Sequence, residues 1–371
     1  MKYKNIQLKD VADIVMGQSP KSVFYNTNGN GIPFLQGVRT FGENYPQIDT
    51  WTTSYNRKAK SGEILFSVRA PVGRVNWANQ DLAVGRGLAA LKIKSGYSKE
   101  YLYYLFKKIG GQLDSLATGT VFTSINKKEL EALELKIPVN LSDQEKIADY
   151  LQKFDQEIEL NNQINDNLVE LINLIYLKFC ADFPAKEKVS LDDVFNTSTK
   201  TFNVNENKNI NIWHFSIPNF DCNKQPQCES TNSIKSNKKK VNSFGVLVSK
   251  LNPNFKRIWA PNLDFYSNYS PIASPEFIQI NGNSQEEQAL IFCILNSKEF
   301  TDFLVSNATG STNSRQRVKP KIAVSYIIPF DLEKKKGLES LVSPILKDIQ
   351  QREFENTKLQ IIKDTLLNKY F

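Results

Sequence analysis

The most regular hydrophobic pattern of the chain begins near residue 142. Residues of one helix face recur at alternating intervals of four and three, in the series Ile147, Leu151, Phe154, Ile158, Asn161, Asn165, Leu168, Ile172, Ile175 and Phe179. This heptad spacing predicts a long helix that packs along a partner helix. Because Ser142-Asp-Gln-Glu145 has the form of a capping box, we expect the helix to start at Ser142. Extending to Cys180, it would be about 55–60 Å long.

A second series of the same kind lies near the end of the chain. We expect this helix to start with Ser343 as cap and Pro344 in its first turn. Its apolar positions are Ile345, Ile349, Leu359, Ile362, Leu366 and Tyr370. Both series are polar at their middle, with Asn161 and Asn165 in one and Arg352 and Asn356 in the other; polar residues at such positions fix register and orientation. Packing of each helix on its own domain is the alternative, which seams of this length disfavour.

Strand patterns and short helices precede both long helices. The β-branched and aromatic runs 64–68 and 89–93 predict strands, whereas 101–108 and 286–295 predict short helices. A last strand is predicted to end at Ile137-Pro138 in the first half and at Ile328-Pro329 in the second. The two halves therefore have the same order of elements.

An internal repeat accounts for this order. Ala117-Thr-Gly-Thr120 recurs as Ala308-Thr-Gly-Ser311, a shift of 308 − 117 = 191 residues. Leu8-Lys-Asp-Val11 similarly resembles Leu191-Asp-Asp-Val194, and Trp77-Ala78 recurs as Trp259-Ala260. The matches are collinear, so we predict a duplicated chain with halves near 1–180 and 185–371, which gives approximate two-fold symmetry.

Charge adds a preference for a polyanionic partner. Lys and Arg number 47 and Asp and Glu 39, a net charge of +8. A basic, duplicated chain suits duplex DNA, in which two half-sites lie a fixed distance apart. A protein-binding scaffold of the same duplicated design would show the same features.

The residues that catalysis, metal binding or membrane insertion would need are not evident. The four cysteines and the single histidine, His214, lack zinc-ligand spacing, and we expect free thiols in a cytoplasmic protein. The sequence shows no phosphate-binding-loop motif, and we expect neither a signal peptide nor a transmembrane span. Asn252-Pro-Asn-Phe255 is superficially similar to the motif that binds a flipped adenine, but its proline falls opposite Pro71 in the repeat, which favours a structural role. We therefore expect no catalytic residue, metal or cofactor.

Specific motifs then indicate a family. The run from Gly62 to Arg74, the run from Ala83 to Ala90, and Ile137-Pro138 followed by Asp143-Gln-Glu-Lys-Ile147 resemble the specificity subunits of type I restriction–modification systems. The second half resembles them less: it lacks an equivalent of Gly85-Arg-Gly87 and of Asp-Gln-Glu-Lys.

The resemblance implies an α/β (α+β) fold with two similar target-recognition domains joined by two long antiparallel coiled-coil helices in pseudo-two-fold symmetry. The expected segments are a first domain at 1–141, a spacer helix at 142–182, a second domain at 183–336 and a second spacer helix at 337–371. Each domain would bind one half of a bipartite site in double-stranded DNA. The helices would set the spacer and dock two adenine-methyltransferase subunits, and the complex would recruit nuclease/translocase subunits.

Candidate interface residues follow from charge and position in loops. The DNA-binding candidates are Arg69, Arg74, Arg86, Thr118, Thr120, Ser124, Lys238, Lys239, Lys256, Arg315, Arg317 and Lys319. Candidates for the helix seam and partner docking are Ile147, Leu151, Phe154, Ile158, Leu168, Ile175, Ile345, Ile349, Leu359 and Leu366. A stand-alone DNA-binding or scaffold protein is the alternative function, and an enzyme with an unrecognised site is a third.

Overall fold

The computed structural model describes residues 1–117, 124–197, 200–310 and 316–371. The chain divides into two compact units. Unit 1 comprises Met1–Asp155 and Ile361–Phe371, and unit 2 comprises Gln156–Gln360. Among the described helices, none is long and apolar enough to cross a membrane.

Unit 1 is built mainly from short strands. They are β1 (Tyr3–Gln7), β2 (Ala12–Met16), β3 (Tyr25–Asn26), β4 (Ile32–Leu35), β5 (Trp51–Thr52), β6 (Lys58–Ala59), β7 (Ile64–Ser67), β8 (Val75–Trp77), β9 (Leu82–Val84), β10 (Leu88–Ile93) and β11 (Glu134–Pro138). Its helices are α1 (Leu8–Val11), α2 (Lys99–Ala117), α3 (Lys127–Glu131) and the first part of α4 (Leu141–Asp182). Two 3-10 turns, Ser22–Phe24 and Val38–Thr40, lie in the loops.

Unit 2 has more helix. Its helices are the rest of α4, then α5 (Leu191–Val194), α6 (Ile217–Asn223), α7 (Gln285–Asn296), α8 (Lys298–Ser306), α9 (Pro320–Val324) and most of α10 (Lys335–Tyr370). Its strands are β12 (Thr201–Phe202), β13 (Asn211–Phe215), β14 (Gln227–Ser230), β15 (Lys238–Lys240), β16 (Gly245–Ser249), β17 (Ile258–Trp259), β18 (Ser270–Ala273) and β19 (Phe277–Asn281). The 3-10 turns are Thr231–Ser233, Leu263–Tyr266 and Leu332–Lys334.

An antiparallel sheet in the order β2-β10-β7-β8 forms the centre of unit 1. Ile64 and Phe66 of β7 pack in one cluster with α2 and α4, whereas Leu65 between them packs in another with β9. Successive residues of a strand face opposite sides, so this unbroken apolar run is explained by burial of both faces of the sheet.

The central sheet of unit 2, in the order β17-β16-β19, repeats this arrangement. Val246 and Val248 join the cluster that contains α7, and Leu247 joins the opposite cluster. These three residues align with Ile64, Leu65 and Phe66 at a shift of 182. The internal repeat predicted from the sequence is confirmed by the faces that corresponding residues occupy.

A second, five-stranded sheet in each unit carries the repeat further. Its order is β3-β5-β4-β9-β6 in unit 1 and β12-β15-β18-β13-β14 in unit 2. We number the five strands of each sheet from first to fifth in chain order. In both sheets the third, second, fifth and fourth strands are then neighbours in that order, and the second and fifth strands are parallel. The first strand pairs with the third in unit 1 and with the fourth in unit 2. The four shared strands therefore have the same topology in both units, and the first strand is added at opposite edges of the two sheets.

The start of α4 differs slightly from the prediction. Ser142 lies inside the first turn, because the helix begins at Leu141 and the carbonyl of Asn140 already accepts from the Gln144 amide. The buried Gln144 side chain fixes this start: its Nε2 donates to the Pro138 carbonyl (2.9 Å) and its Oε1 accepts from the Ser98 amide (3.0 Å). One function of the Asp-Gln-Glu-Lys run is thus to attach α4 to β11 and to the segment before α2.

The predicted start of the second long helix at Ser343 is wrong. α10 begins at Lys335 and continues through Pro344, although a proline inside a helix removes a backbone hydrogen bond. Leu338 and Val342 are fully buried in the core of unit 2. Burial of such side chains contributes about 1.5–3 kcal/mol each, which offsets the cost of the proline.

Two further predictions need correction. α2 extends well beyond the predicted 101–108, through Gly110, whose missing side chain lets it lie against the backbone of Gly73. The strand predicted to end at Ile328-Pro329 is reduced, within the described residues, to the bridges Ser190–Ile327 and Pro184–Phe330. Prolines in both paired segments cannot donate to a ladder, whereas β1 and β11 of unit 1 pair through five residues.

Candidate nucleic-acid interface

The turn between β7 and β8 presents two of the predicted arginines. Ser67 is fully buried, and its Oγ donates to the Pro71 carbonyl (2.6 Å) and accepts from the Arg74 amide (2.8 Å). The Ser67 amide also donates to the Arg74 carbonyl (2.8 Å). These hydrogen bonds fix the turn on its buried side. The side chains of Arg69 and Arg74 are exposed on the turn.

Backbone hydrogen bonds join this turn to two other segments. The Val68 amide donates to the Gly87 carbonyl (2.9 Å), and the Ile125 amide donates to the Val68 carbonyl (2.9 Å). Arg69 and Ser124 form an isolated β-bridge. The structure therefore brings together Arg69, Ser124 and the segment of Arg86, three positions that are distant in sequence.

The two glycines that flank Arg86 explain how it is presented. A Cβ at Gly85 would lie 2.8 Å from the Cα of Gln36, and one at Gly87 would lie 2.6 Å from the Gln36 carbonyl oxygen. Only glycine permits this close approach. The amide of Arg86 donates to Ser19 Oγ (3.2 Å), while its side chain is exposed. We call Arg69, Arg74, Arg86 and Ser124 the unit 1 cluster.

Unit 2 has an equivalent junction with different chemistry. The Val318 amide donates to the Lys250 carbonyl (2.9 Å), as Ile125 does to Val68, and Leu251 bridges Arg317. Arg317 pairs with Glu276 at 3.1 Å, and Glu276 lies in the segment between β18 and β19 that corresponds to Gly85-Arg-Gly87. A carboxylate thus stands near the place where unit 1 has an arginine.

The remaining predicted DNA-binding residues have different surroundings. Lys238 is buried, its Nζ donates to the carbonyl (2.9 Å) and hydroxyl (2.8 Å) of Ser236, and burial lowers its pKa. Lys256 directs its Nζ to the Asn296 carbonyl, and burial lowers its pKa also. Lys239 is half-buried in β15, and Lys319 is exposed before α9. Thr118, Thr120 and Arg315 lie outside the described residues.

The cysteine and histidine side chains have ordinary surroundings. His214 Nδ1 bonds Glu229 Oε1 at 2.5 Å, and burial lowers the pKa of the imidazole. Cys222 and Cys228 are exposed free thiols. Within the described residues, no three His, Cys, Asp or Glu side chains are grouped as metal ligands.

The polar residues at the middle of the predicted seam form hydrogen bonds between α4 and α10 within unit 2. Asn161 Nδ2 donates to Asn356 Oδ1 (2.9 Å), and Asn356 Nδ2 donates to Asn162 Oδ1 (3.0 Å). Arg352 Nη1 donates to Asn161 Oδ1 (3.3 Å), and Asn165 Nδ2 donates to the Ile349 carbonyl (3.4 Å). The contacts advance along α4 as they recede along α10, so the helices are antiparallel here.

Some of the apolar seam residues are buried in a core, and others are partly exposed. Ile147 and Leu151 are buried in the core of unit 1, and Ile349 is buried in that of unit 2. The others are half-buried: Phe154, Ile158, Leu168, Ile175, Ile345, Leu359 and Leu366. Ile362 of the predicted series is 46% exposed, and the adjacent Lys363 is buried instead. Sequence reasoning also missed Ser19, whose hydroxyl accepts from the amide of Arg86, a residue distant in sequence.

Comparison with known proteins finds a family likeness in the first part of the chain. Residues 1–170 match the family model described as the type I restriction modification DNA specificity domain. A Methanocaldococcus jannaschii protein named as the type I restriction enzyme MjaX specificity subunit is 39% identical over 167 residues, which are 44% of this chain and 39% of that protein. A second relative from that organism, the MjaIX specificity subunit, is 27% identical over 48% of this chain and 43% of its own length. The matched segments thus span less than half of both relatives.

The full-length likeness is to a solved structure. The type I restriction–modification S subunit from M. genitalium superposes with a TM-score of 0.58 at 16% identity, covering 100% of this chain and 96% of that one. This match shows the fold, and the fold class predicted from the sequence is confirmed. The predicted resemblance to type I specificity subunits is confirmed for residues 1–170, which match the family model of the DNA specificity domain.

Proposed function

We propose that this chain is the DNA-specificity subunit of a type I restriction–modification complex. Each globular domain binds one half of a bipartite site in double-stranded DNA, and the two long helices set the spacer between the half-sites. The helices also dock two adenine-methyltransferase subunits, and the complex recruits nuclease/translocase subunits in the cytoplasm. The chain itself supplies recognition and no catalytic residue. The proposed domains and spacer helices are those given by the sequence, at 1–141, 142–182, 183–336 and 337–371.

The unit 1 cluster is the observation that carries the DNA-binding proposal. Arginine can form paired hydrogen bonds with a guanine edge and can also neutralise phosphate. Three exposed arginines lie on turns that glycine packing and a buried serine hold in place. Fixed backbones of this kind position side chains at low entropic cost, which favours recognition over loose electrostatic attraction.

In unit 2 the proposed contacts are Arg317 and Lys319, with Lys239 as a phosphate contact. Glu276 beside Arg317 reduces the net positive charge there. A carboxylate can also accept a hydrogen bond from cytosine. The two units would therefore read different bases, as an asymmetric target requires.

Methyltransferase docking is supported by apolar side chains that face solvent on the long helices. Leu171, Leu174 and Leu177 of α4 are 44%, 58% and 47% exposed, and Leu341 of α10 is 55% exposed. Contiguous exposed leucines of this kind are typical of protein-binding surfaces. Seam residues such as Ile147 and Leu151 would then act indirectly, by holding the helices in the correct place.

The test is co-expression of the chain with a type I adenine-methyltransferase subunit, followed by genome-wide mapping of methylated adenines. We expect methylation within a two-part motif of fixed spacer. Arg86→Ala should lower methylation of that motif by about 5- to 150-fold, the effect of losing a contact worth about 1–3 kcal/mol. Lys298→Ala, at a solvent-exposed position on α8 that is outside the proposed contacts, is the matched control.

Two outcomes would count against the proposal. Methylation that is independent of this chain would exclude the role of specificity subunit. Sequence-specific DNA binding by the chain without any association with the methyltransferase would favour the alternative, a stand-alone DNA-binding protein.

A further inference from the structure

Phe255 is an aromatic side chain that the fold leaves in solvent. It lies in the loop between β16 and β17 of unit 2 and is 64% exposed. Its exposure excludes a role in the core. The adjacent residues Asn254 and Lys256 are also exposed, so the ring stands at the outer side of the loop.

The internal repeat shows that the position is free of a structural requirement for phenylalanine. At a shift of 182 residues, Phe255 falls opposite Gly73 in the turn between β7 and β8. Gly73 has a φ of +88° and lies against Gly110, where a Cβ would approach the Gly110 Cα to 2.6 Å. One copy of the loop thus carries no side chain at this position, and the other exposes a large aromatic ring.

The Phe255 loop is held rigidly by its base. Asn252 has a left-handed backbone with φ +48°, and its amide donates to the Gln316 carbonyl at 2.8 Å. Asn252 Oδ1 accepts from the Gln316 amide at 3.0 Å, and the Phe255 amide donates to the Asn252 carbonyl at 2.9 Å. Because these bonds fix the turn at Asn252, little conformational entropy would be lost when its tip binds a partner.

A guanidinium group supports the ring from one side. The Cζ of Arg257 lies 5.3 Å from the centroid of the Phe255 ring, within cation–π range. Arg257 is fixed by Asp221, through Nε–Oδ1 at 2.6 Å and Nη2–Oδ2 at 2.9 Å. The ring therefore has a preferred orientation.

The charge around Phe255 favours a nucleic acid over an apolar protein surface. Cationic side chains at the base and flanks of the loop are Lys250, Arg257, Arg317 and Lys319, and the carboxylates paired with them are Asp221 and Glu276. The surroundings thus carry more positive than negative charge. An apolar tip within a basic rim matches the architecture of side chains that enter a stack of base pairs.

We propose that Phe255 is an apolar wedge that inserts between adjacent base pairs of the duplex bound by unit 2. It would partly unstack one base step, so that unit 2 selects a flexible step through deformability as well as through hydrogen bonds. The inference rests on the proposed DNA-binding function, which it extends by naming a specificity-determining residue. It predicts an asymmetry, because unit 1 has a glycine at the equivalent position.

The experiment uses the full chain, with its methyltransferase partner where that is needed for solubility, and a pool of random 40-base-pair duplexes. Selection with the wild-type chain yields the two-part consensus. Phe255→Ala should weaken binding to that consensus duplex by about 5- to 150-fold, as loss of one base–aromatic contact does. The slope of affinity against salt should not change, because no phosphate contact is removed. Phe255→Trp should retain the wild-type affinity.

A fluorescent base analogue in the duplex tests where Phe255 inserts. The base step to probe is the one at which the Phe255→Ala variant, put through the same selection, no longer prefers a particular sequence. With 2-aminopurine at that step, binding of the wild-type chain should increase the fluorescence and binding of Phe255→Ala should not. Ile210→Ala, which truncates another partly exposed apolar residue of unit 2, should behave as wild type. Equal affinity and equal fluorescence for wild type and Phe255→Ala would overturn the wedge while leaving the proposed function intact. Failure of the wild-type chain to select any consensus would overturn both.

Discussion

Glu353 on α10 is a carboxyl group that folding places in an unfavourable environment. It lines a cavity of unit 2 together with Asn165, Lys224 and Lys256. Burial raises its pKa to about 7, against the smaller opposing effect of Lys224. A carboxyl with a raised pKa binds its proton more tightly in the folded chain. Protonation of Glu353 therefore stabilises the folded state fully below about pH 4.5. This contribution to the free energy of unfolding is lost as the pH rises through about 7.

This residue gives a prediction of pH-dependent stability. Glu353→Gln should raise the free energy of unfolding at pH 8 by about 1 kcal/mol and change it little at pH 4.5, because the amide resembles the protonated acid. The measurement is urea unfolding of the full chain at both pH values. Glu170→Gln, at an exposed carboxyl on α4, is the control and should have little effect at either pH. An equal gain at pH 4.5 and pH 8 would contradict the assignment of the raised pKa.

The exposure of a proposed interface residue could be read from the sequence where local chemistry was sufficient to decide it. Arg86 lies between two glycines and Arg69 lies two residues before Pro71, and turns of this composition present side chains to solvent. Lys238 is not exposed in this way, because it begins a strand and its ammonium group folds back to Ser236. Neither the grouping of Arg69 with Ser124 nor the attachment of Asn252 to Gln316 could be read from local sequence, since both contacts join residues more than 50 positions apart.

At the scale of elements, the heptad pattern predicted both long helices but misplaced part of the buried face. In the described structure Tyr176 is buried where Ile175 was expected, and Lys363 where Ile362 was expected. Lys363 forms an ion pair with Asp155, which also accepts from the Tyr104 hydroxyl at 2.5 Å. A buried lysine is stable only with such a partner. Hydrophobic periodicity alone cannot anticipate a charged residue at an interior position.

The Asp155–Lys363 pair yields a prediction about this element of unit 1. Lys363→Ala should lower the free energy of unfolding by about 3–5 kcal/mol, because it leaves the carboxylate buried and unpaired. The double variant Asp155→Leu/Lys363→Met should recover most of this loss, since apolar residues of similar size often replace a buried pair at no cost. Denaturant unfolding of the full chain measures both. Lys153→Ala, whose exposed pair with Asp149 lies on the same helix, should cost less than 1 kcal/mol. Equal losses for Lys363→Ala and Lys153→Ala would show that the buried pair has no special role.

At the scale of the whole molecule, duplication was the feature most accessible to sequence. Collinear matches such as Leu8–Val11 with Leu191–Val194 were sufficient, and both segments form single-turn helices. The different placement of the first strand in the two five-stranded sheets was inaccessible, because two-residue strands carry little pattern. A difference of this kind at a sheet edge leaves the duplicated scaffold unchanged while the surface around that edge differs.

The proposed division of labour between helices and domains gives the last prediction. Seven residues added after Glu157 in α4 and seven after Lys358 in α10 preserve the heptad faces and lengthen each helix by about 10 Å. If the helices set the spacer, the methylated motif should gain about three base pairs between half-sites of unchanged sequence, at 3.4 Å per base pair. Mapping of methylated adenines in cells that carry the variant and its methyltransferase measures both quantities. A matched variant with two residues added to each helix turns the following residues by about 200°, which moves the apolar faces away from each other, and it should lose methylation. A changed half-site with an unchanged spacer would show that the helices take part in base recognition and do not measure distance.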